Sequence, residues 1–126
     1  MGPRPIDLHI KALRKMGVKV HDASHGFLYC EADKLRGCEI QLDFPSVGAT
    51  ENIMLAAVFA EGDTIIRHAA KEPEIIDLQK YLLSLGVKVS GAGTSVISIK
   101  GTGKVFKRVE HTIIPDRIVA GTYLTA

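Results

Sequence analysis

One stretch of this chain occurs twice. Gly17-Val18-Lys19-Val20 is matched residue for residue by Gly86-Val87-Lys88-Val89. The same interval pairs Leu13 with Leu82, Met16 with Leu85, and Phe27-Leu28 with Val96-Ile97. Pro45 and Pro115 mark corresponding strand ends, with a small insertion between them. Both copies read as helix, glycine, strand, turn, strand, loop, strand and proline. A unit this short cannot bury both faces of a sheet, so such units must pack on one another. The repeat therefore predicts an α/β fold built from stacked copies.

The elements follow from spacing. Leu8, Ile10, Leu13 and Met16 predict a helix over 7–16, and Gly17 stands where a helix end needs positive φ. Strands are expected at 18–20, 27–32 and 39–43, with 21–26 as a turn. Pro45 stops the third strand, and Ser46 can cap a helix over 47–60. That helix is apolar nearly all round and is expected to be buried. A strand over 64–67, a helix over 73–85 opened by Pro73, and strands over 87–89, 96–100 and 111–114 complete the pattern. Gly91-Ala92-Gly93-Thr94 is a hairpin turn; it lacks the lysine of a phosphate loop. A helix expected after Pro115 starts at Asp116 and meets the end at Ala126, and a strand expected before Arg4 has no counterpart. The chain thus reads as a piece of a longer repeat protein, with open faces through which it could self-associate.

Composition excludes several classes of function. The chain has 126 residues, 46% hydrophobic and 24% charged, which suits one globular domain. A net charge of +2 is too mild to imply a nucleic-acid or membrane partner. No apolar run is long enough to span a bilayer. With no Trp and 6% aromatic residues there is no stacking platform for single strands. Cys30 and Cys38 make neither a disulfide framework nor a zinc pattern, so a reducing, cytoplasmic setting is expected. His9, His21, His25, His68 and His111 lack metal-ligand spacing, and no metal or cofactor is expected. Lys100, Lys104, Lys107 and Arg108 read as a solvated strand edge or loop.

Two places can hold an anion. Arg4, between Pro3 and Pro5, offers a planar guanidinium on a stiffened segment, although the same residues also describe a surface arginine near the N-terminus. Ser46, Val47 and Gly48 stand at a helix start, where backbone N–H groups attract phosphate, or where Ser46 simply caps. Ile6 and Leu8 either line a site or pack at the helix start, and Asp7 can cap that helix. Glu72 and Glu74 flank Pro73, where they either share acid–base work or stabilise the helix N-terminus.

Four ordered blocks carry a resemblance that covers essentially the whole chain. Gly2-Pro3-Arg4-Pro5-Ile6-Asp7-Leu8-His9 resembles the segment after the catalytic loop of the UDP-N-acetylglucosamine 1-carboxyvinyltransferases, which are enolpyruvyl transferases. Phe44-Pro45-Ser46-Val47-Gly48-Ala49-Thr50 resembles their second nucleotide-sugar segment. Ala70-Lys71-Glu72-Pro73-Glu74-Ile75-Ile76-Asp77 and Ile114-Pro115-Asp116-Arg117-Ile118 resemble two further blocks.

The resemblance implies a fold of two domains, each an inside-out α/β barrel of three βαβαββ units. Residues 1–114 would be an incomplete barrel with repeats at 4–72 and 73–114, and 115–126 would cross to the next domain. It implies transfer of enolpyruvyl from phosphoenolpyruvate to the 3′-hydroxyl of UDP-N-acetylglucosamine, with loss of phosphate, in bacterial peptidoglycan synthesis. It places Arg4, Pro5, Ile6, Asp7, Leu8, Pro45, Ser46, Val47 and Gly48 at the UDP-sugar. The reactive cysteine of the family would precede Met1, so no catalytic set is complete here and the isolated chain is expected to be inactive. The partners implied are the two substrates and the rest of the enzyme. Phe44 stands where the family often has lysine, and Val119 where it often has glutamate. Two other readings stand beside this one: a non-catalytic, self-associating module of the same fold, and a piece of the sister transferase that acts on shikimate 3-phosphate.

Overall fold

The repeat is visible in the backbone bonds that end two helices. A computed structural model describes residues 6–23, 25–103 and 110–115. Helix α1 spans Asp7–Lys15 and helix α3 spans Pro73–Ser84. Past α1, Gly17 N–H donates to Arg14 O and Val18 N–H to Leu13 O. Past α3, Gly86 N–H donates to Leu83 O and Val87 N–H to Leu82 O. This is the Schellman arrangement, and it needs a left-handed residue after the cap. Gly17 has φ of 100° and Gly86 has φ of 91°, so each duplicated glycine holds the conformation that a side chain would resist.

Each helix then leads into a hairpin of the same register. β1 (Lys19–Ala23) pairs antiparallel with β2 (Phe27–Glu31), with Val20 opposite Cys30 and His21 opposite Tyr29. β5 (Val89–Ser90) pairs antiparallel with β6 (Val96–Lys100), with Val89 opposite Ile99 and Ser90 opposite Ser98. The expected turn over 21–26 is shorter than predicted, because β1 runs on to Ala23. His25 and Gly26 make the described part of the turn, both at positive φ.

Between the hairpins lie β3 (Glu39–Gln41), α2 (Val47–Val58) and β4 (Asp63–Arg67). β3 and β4 are parallel, β4 is antiparallel to β6, and the sheet order is β3-β4-β6-β5. The run from β3 to β6 is therefore one βαβαββ unit, preceded by the αββ segment α1–β1–β2. Among the described residues, His111, Thr112, Ile113 and Ile114 form no ladder, so the strand expected over 111–114 is not found there. The order βαβαββ accordingly runs from Glu39 to Lys100, in a different phase from repeats at 4–72 and 73–114. The shared Pro45 and Pro115 suggested a strand before each, but His111 packs on a helix instead. Its Nε2 lies 3.0 Å from Asp77 Oδ1, and its ring meets Tyr81 edge-on at 5.5 Å. Replacing His111 with Ala removes the partner of a largely buried carboxylate. The expected cost is about 1–3 kcal/mol, read as a lower urea midpoint with an unchanged slope.

α2 is the centre of the core. Ala49, Ile53, Met54, Ala57 and Val58 are buried against Ile66, Ile97 and Ile99 of the sheet and against both other helices. Alternation in β6 puts Ile97 and Ile99 inside and Val96, Ser98 and Lys100 outside. The expectation that α2 is buried all round holds for one face only. Asn52, Leu55 and Phe59 are exposed and lie along one stripe at helical spacing. No helix among the described residues is long and apolar enough to cross a membrane.

Candidate functional site

The starts of α1 and α2, distant in sequence, lie side by side. Ser46 is the N-cap of α2: its Oγ accepts from Ala49 N–H at 3.2 Å, and its carbonyl accepts from the Thr50 hydroxyl at 2.7 Å. Thr50 Oγ1 in turn accepts from Ala70 N–H, which ties the start of α2 to the loop after β4. Val47 and Gly48 fall in the first turn, where N–H groups have no acceptor within the helix. Gly48 is exposed, and the helix dipole adds partial positive charge there. The cap expected of Ser46 is present, and the arrangement leaves N–H groups for an anion.

His9 joins the two helices. Its Nδ1 lies 2.6 Å from Asn52 Nδ2, a hydrogen-bonding contact between the two helices. A Cβ placed on Gly48 would stand 3.3 Å from His9 Cε1 and 3.6 Å from Nε2. A side chain at 48 would therefore press on the ring, and glycine keeps the approach open. Nothing in the pattern of residues marks His9 or Asn52 as partners, beyond the place of His9 at the end of a family block.

The other sequence-predicted residues separate. Arg4 and Pro5 lie outside the described residues. Ile6 is the N-cap residue of α1 and is exposed. Asp7 falls in the first turn, and no side chain caps α1, so Asp7 acts there through the dipole. Leu8 is buried and takes the packing role. Pro45 is exposed beside Ser46, and Val47 packs partly against the core. Of the two segments chosen from sequence, 4–8 and 45–48, the contact shown is made one residue beyond the first, by His9 against Gly48 and Asn52.

The charged groups nearby show where burial matters. Glu51 on α2 has its carboxyl pushed above the usual glutamate range, first by burial and then by the negative charge of Glu74. A carboxyl with a raised folded pKa contributes fully below its unfolded pKa, and that contribution is lost as pH rises through the folded value. Glu51→Gln is therefore expected to raise the melting temperature at pH 7. The gain shrinks on acidification and disappears below about pH 4, under the ordinary glutamate value. Glu74 lies in the first turn of α3, as the electrostatic reading requires, while Glu72 is its N-cap residue and makes no side-chain cap bond. Cys38 is half-buried, and burial raises its thiol pKa against the opposing charge of Lys15. Cys30 is exposed.

A groove of about 480 Å³ runs between α1 and β3, lined by Leu8, Lys11, Lys15, Ile40, Leu42 and Asp43. Lys11 Nζ and Asp43 Oδ1 face each other at 3.5 Å, and the lining carries two lysines against one aspartate. It does not reach residues 46–48.

Comparison with known proteins shows the family and the fold. Residues 1–126 match the family model described as EPSP synthase (3-phosphoshikimate 1-carboxyvinyltransferase). The chain is 60% identical over 126 residues to UDP-N-acetylglucosamine 1-carboxyvinyltransferase 2 of Caldanaerobacter subterraneus subsp. tengcongensis, covering 100% of this chain and 30% of that protein. It is 57% identical over 126 residues to UDP-N-acetylglucosamine 1-carboxyvinyltransferase 2 of Bacillus subtilis, covering 100% of this chain and 29% of that one. The chain thus spans less than a third of the length of the curated relatives it matches. Among solved structures, the enolpyruvyl transferase NikO from Streptomyces tendae superposes with a TM-score of 0.84 at 25% identity, over 98% of this chain and 31% of that one. EPSP synthase from Acinetobacter baumannii superposes with a TM-score of 0.66 at 27% identity, over 81% of this chain and 23% of that one. The fold is the α/β fold of the enolpyruvyl transferases, and the described residues do not close a barrel.

Proposed function

Because the chain belongs to the EPSP synthase (3-phosphoshikimate 1-carboxyvinyltransferase) family, we propose that it carries part of the UDP-N-acetylglucosamine site of a UDP-N-acetylglucosamine 1-carboxyvinyltransferase. That enzyme moves the enolpyruvyl group of phosphoenolpyruvate to the 3′-hydroxyl of the sugar, with release of phosphate, in the bacterial cytoplasm. The relatives at 54% to 60% identity carry that name, which favours the UDP-sugar over shikimate 3-phosphate. The observation that supports the reading is His9 of α1 lying against Gly48 and Asn52 at the start of α2.

The residues act on the substrate by position and charge. The N–H groups of Val47 and Gly48 donate to the diphosphate at the start of α2, where the dipole also favours it. The His9 ring supplies a further polar group beside them. Ile6 offers an apolar surface to the base, and Asp7 an acceptor for the base or ribose. Arg4 takes an anionic oxygen at the junction of the two substrates. Phe44 supplies no cation, so the backbone carries more of the anion binding than a lysine there would leave to it.

Residues 1–114 form part of one domain and residues 115–126 lead toward a second. The rest of the enzyme supplies the opposite wall of the cleft and the remaining reactive groups. Catalysis of this kind depends on donors fixed around the reacting atoms, and half a cleft does not fix them. The chain alone is therefore expected to release no phosphate from phosphoenolpyruvate. Calorimetry with Arg4→Ala tests the binding role: the account expects UDP-N-acetylglucosamine affinity to fall at least tenfold, and unchanged affinity would sink the role given to Arg4.

A further inference from the structure

Thr50 is fully buried in α2, yet its hydroxyl supplies nothing the helix lacks. The Ser46 carbonyl already accepts the ordinary helical bond from Thr50 N–H at 2.9 Å. The hydroxyl donates to the same oxygen at 2.7 Å. A hydroxyl bonded back to the carbonyl four residues earlier slightly destabilises a helix. Its use lies outside α2. Thr50 Oγ1 accepts from Ala70 N–H at 3.1 Å, in the loop after β4. Donation to Ser46 fixes the hydroxyl rotor and leaves its lone pairs for Ala70.

That loop is itself held in place. Leu42 N–H donates to Arg67 O at 3.0 Å, and Ala69 N–H donates to Ser95 O at 2.9 Å. His68 Nδ1 lies 3.1 Å from Leu42 O. Ala69 and Ala70 are buried. The loop is thus an anchor tied to the sheet, and Thr50 carries its position to Ser46. The next link is covalent. The Ser46 carbonyl and the Val47 N–H belong to one planar trans peptide, so they point in opposite directions. Whatever holds the carbonyl therefore aims the N–H. With Ser46 O held toward the helix by two bonds, the Val47 N–H faces out of its start. The second bond to the carbonyl also polarises the peptide and makes its N–H a stronger donor.

We propose that Thr50 is a positioning residue for the sugar nucleotide: its hydroxyl, anchored on Ala70 N–H, aims and polarises the Val47 N–H that receives the diphosphate. The inference deepens the UDP-N-acetylglucosamine reading and rests on it. Ser46 Oγ accepts from Ala49 N–H, which leaves Val47 and Gly48 as the first-turn donors to an anion. Misaiming one of two donors is felt directly in affinity.

Two substitutions of the full chain separate positioning from packing. Thr50→Val keeps the shape and removes the hydroxyl. Thr50→Ser keeps the hydroxyl and removes a buried methyl. Both are expected to lower the melting temperature, so stability does not tell them apart. Calorimetry with UDP-N-acetylglucosamine does: affinity falls about three- to tenfold in Thr50→Val and stays within about twofold of the parent in Thr50→Ser. An amide NMR titration of the parent needs no variant. Ala70 N–H is expected to shift with the same midpoint as Val47 and Gly48, because one chain of bonds joins them. Parent-like affinity in Thr50→Val, equal loss in both variants, or shifts at Val47 and Gly48 with Ala70 unmoved would overturn the role of Thr50 and leave the sugar-nucleotide reading standing. No shift at Val47 or Gly48 in the parent would instead remove that reading, and the role of Thr50 with it.

Discussion

Gly48→Asp is expected to weaken UDP-N-acetylglucosamine binding at least tenfold, a loss of about 1.4 kcal/mol or more, while the fold stays intact. The substitution separates the two uses of a helix start. For the helix itself, an acidic residue in the first turn is favourable, and removing a helical glycine recovers about 0.5–1 kcal/mol. For a diphosphate, the same carboxylate is a like charge placed on the N–H groups meant to receive it. The new Cβ also stands 3.3 Å from His9 Cε1, so the ring must shift by a few tenths of an ångström. Asn52 meets that ring, and the shift disturbs their contact. The expected pattern is therefore a melting temperature equal to or above that of the parent and a lost ligand. Calorimetry beside a thermal scan measures both. A parent-like affinity would mean that the start of α2 is capped and nothing more.

Gly91→Ala is expected to cost at least about 3 kcal/mol and to lower the melting temperature by more than about 10 °C. Two effects add at this position. Its φ of +95° is strained for any residue with a Cβ, by about 1–2 kcal/mol. The Cβ would also lie 2.1 Å from Val96 O and 3.2 Å from Ile97 Cα. Both are backbone atoms of β6, so no rotamer change can relieve the overlap. Ile97 and Ile99 on that strand are core residues, and moving the strand opens the core. Gly62→Ala separates the two effects. Its φ is +90° with nothing within 4 Å, so it carries the conformational strain alone. Thermal scans of the two variants should differ by the contribution of the overlap, with Gly62→Ala falling only a few degrees.

The repeat was legible because glycine is a sharp marker. A left-handed C′ position accepts little else, so Gly17 and Gly86 fixed the helix ends and the hairpin entries. Ser46 was legible for a similar reason, since an N-cap needs a short side-chain acceptor. What the sequence concealed depends on contacts between distant segments. The strand expected at 111–114 was inferred by analogy, but His111 found Asp77 on α3, and one such bond outweighs a weak β preference. The phase of the βαβαββ unit could not be read, because pairing partners, not periodicity, decide which strand belongs to which sheet. Apolar composition predicts burial of α2 all round, yet Leu55 and the C-cap residue Phe59 are exposed, since composition gives no direction.

The candidate site was legible in part. The two segments came from family blocks, and their chemistry came from Ser46 and Gly48. That they meet is tertiary information, carried by His9 against Gly48 and Asn52. A histidine at helical spacing announces nothing about a partner on another helix.

The central claim is that residues 6–9 and 46–48 form one preassembled half-site for a sugar nucleotide. An amide NMR titration of the full chain with UDP-N-acetylglucosamine, with shikimate 3-phosphate as control, tests it most directly. The account predicts saturable shifts at residues 6–9, 46–48 and at Asn52 with the first ligand only. A well-dispersed spectrum with no shifts there, or equal shifts with shikimate 3-phosphate, would contradict it.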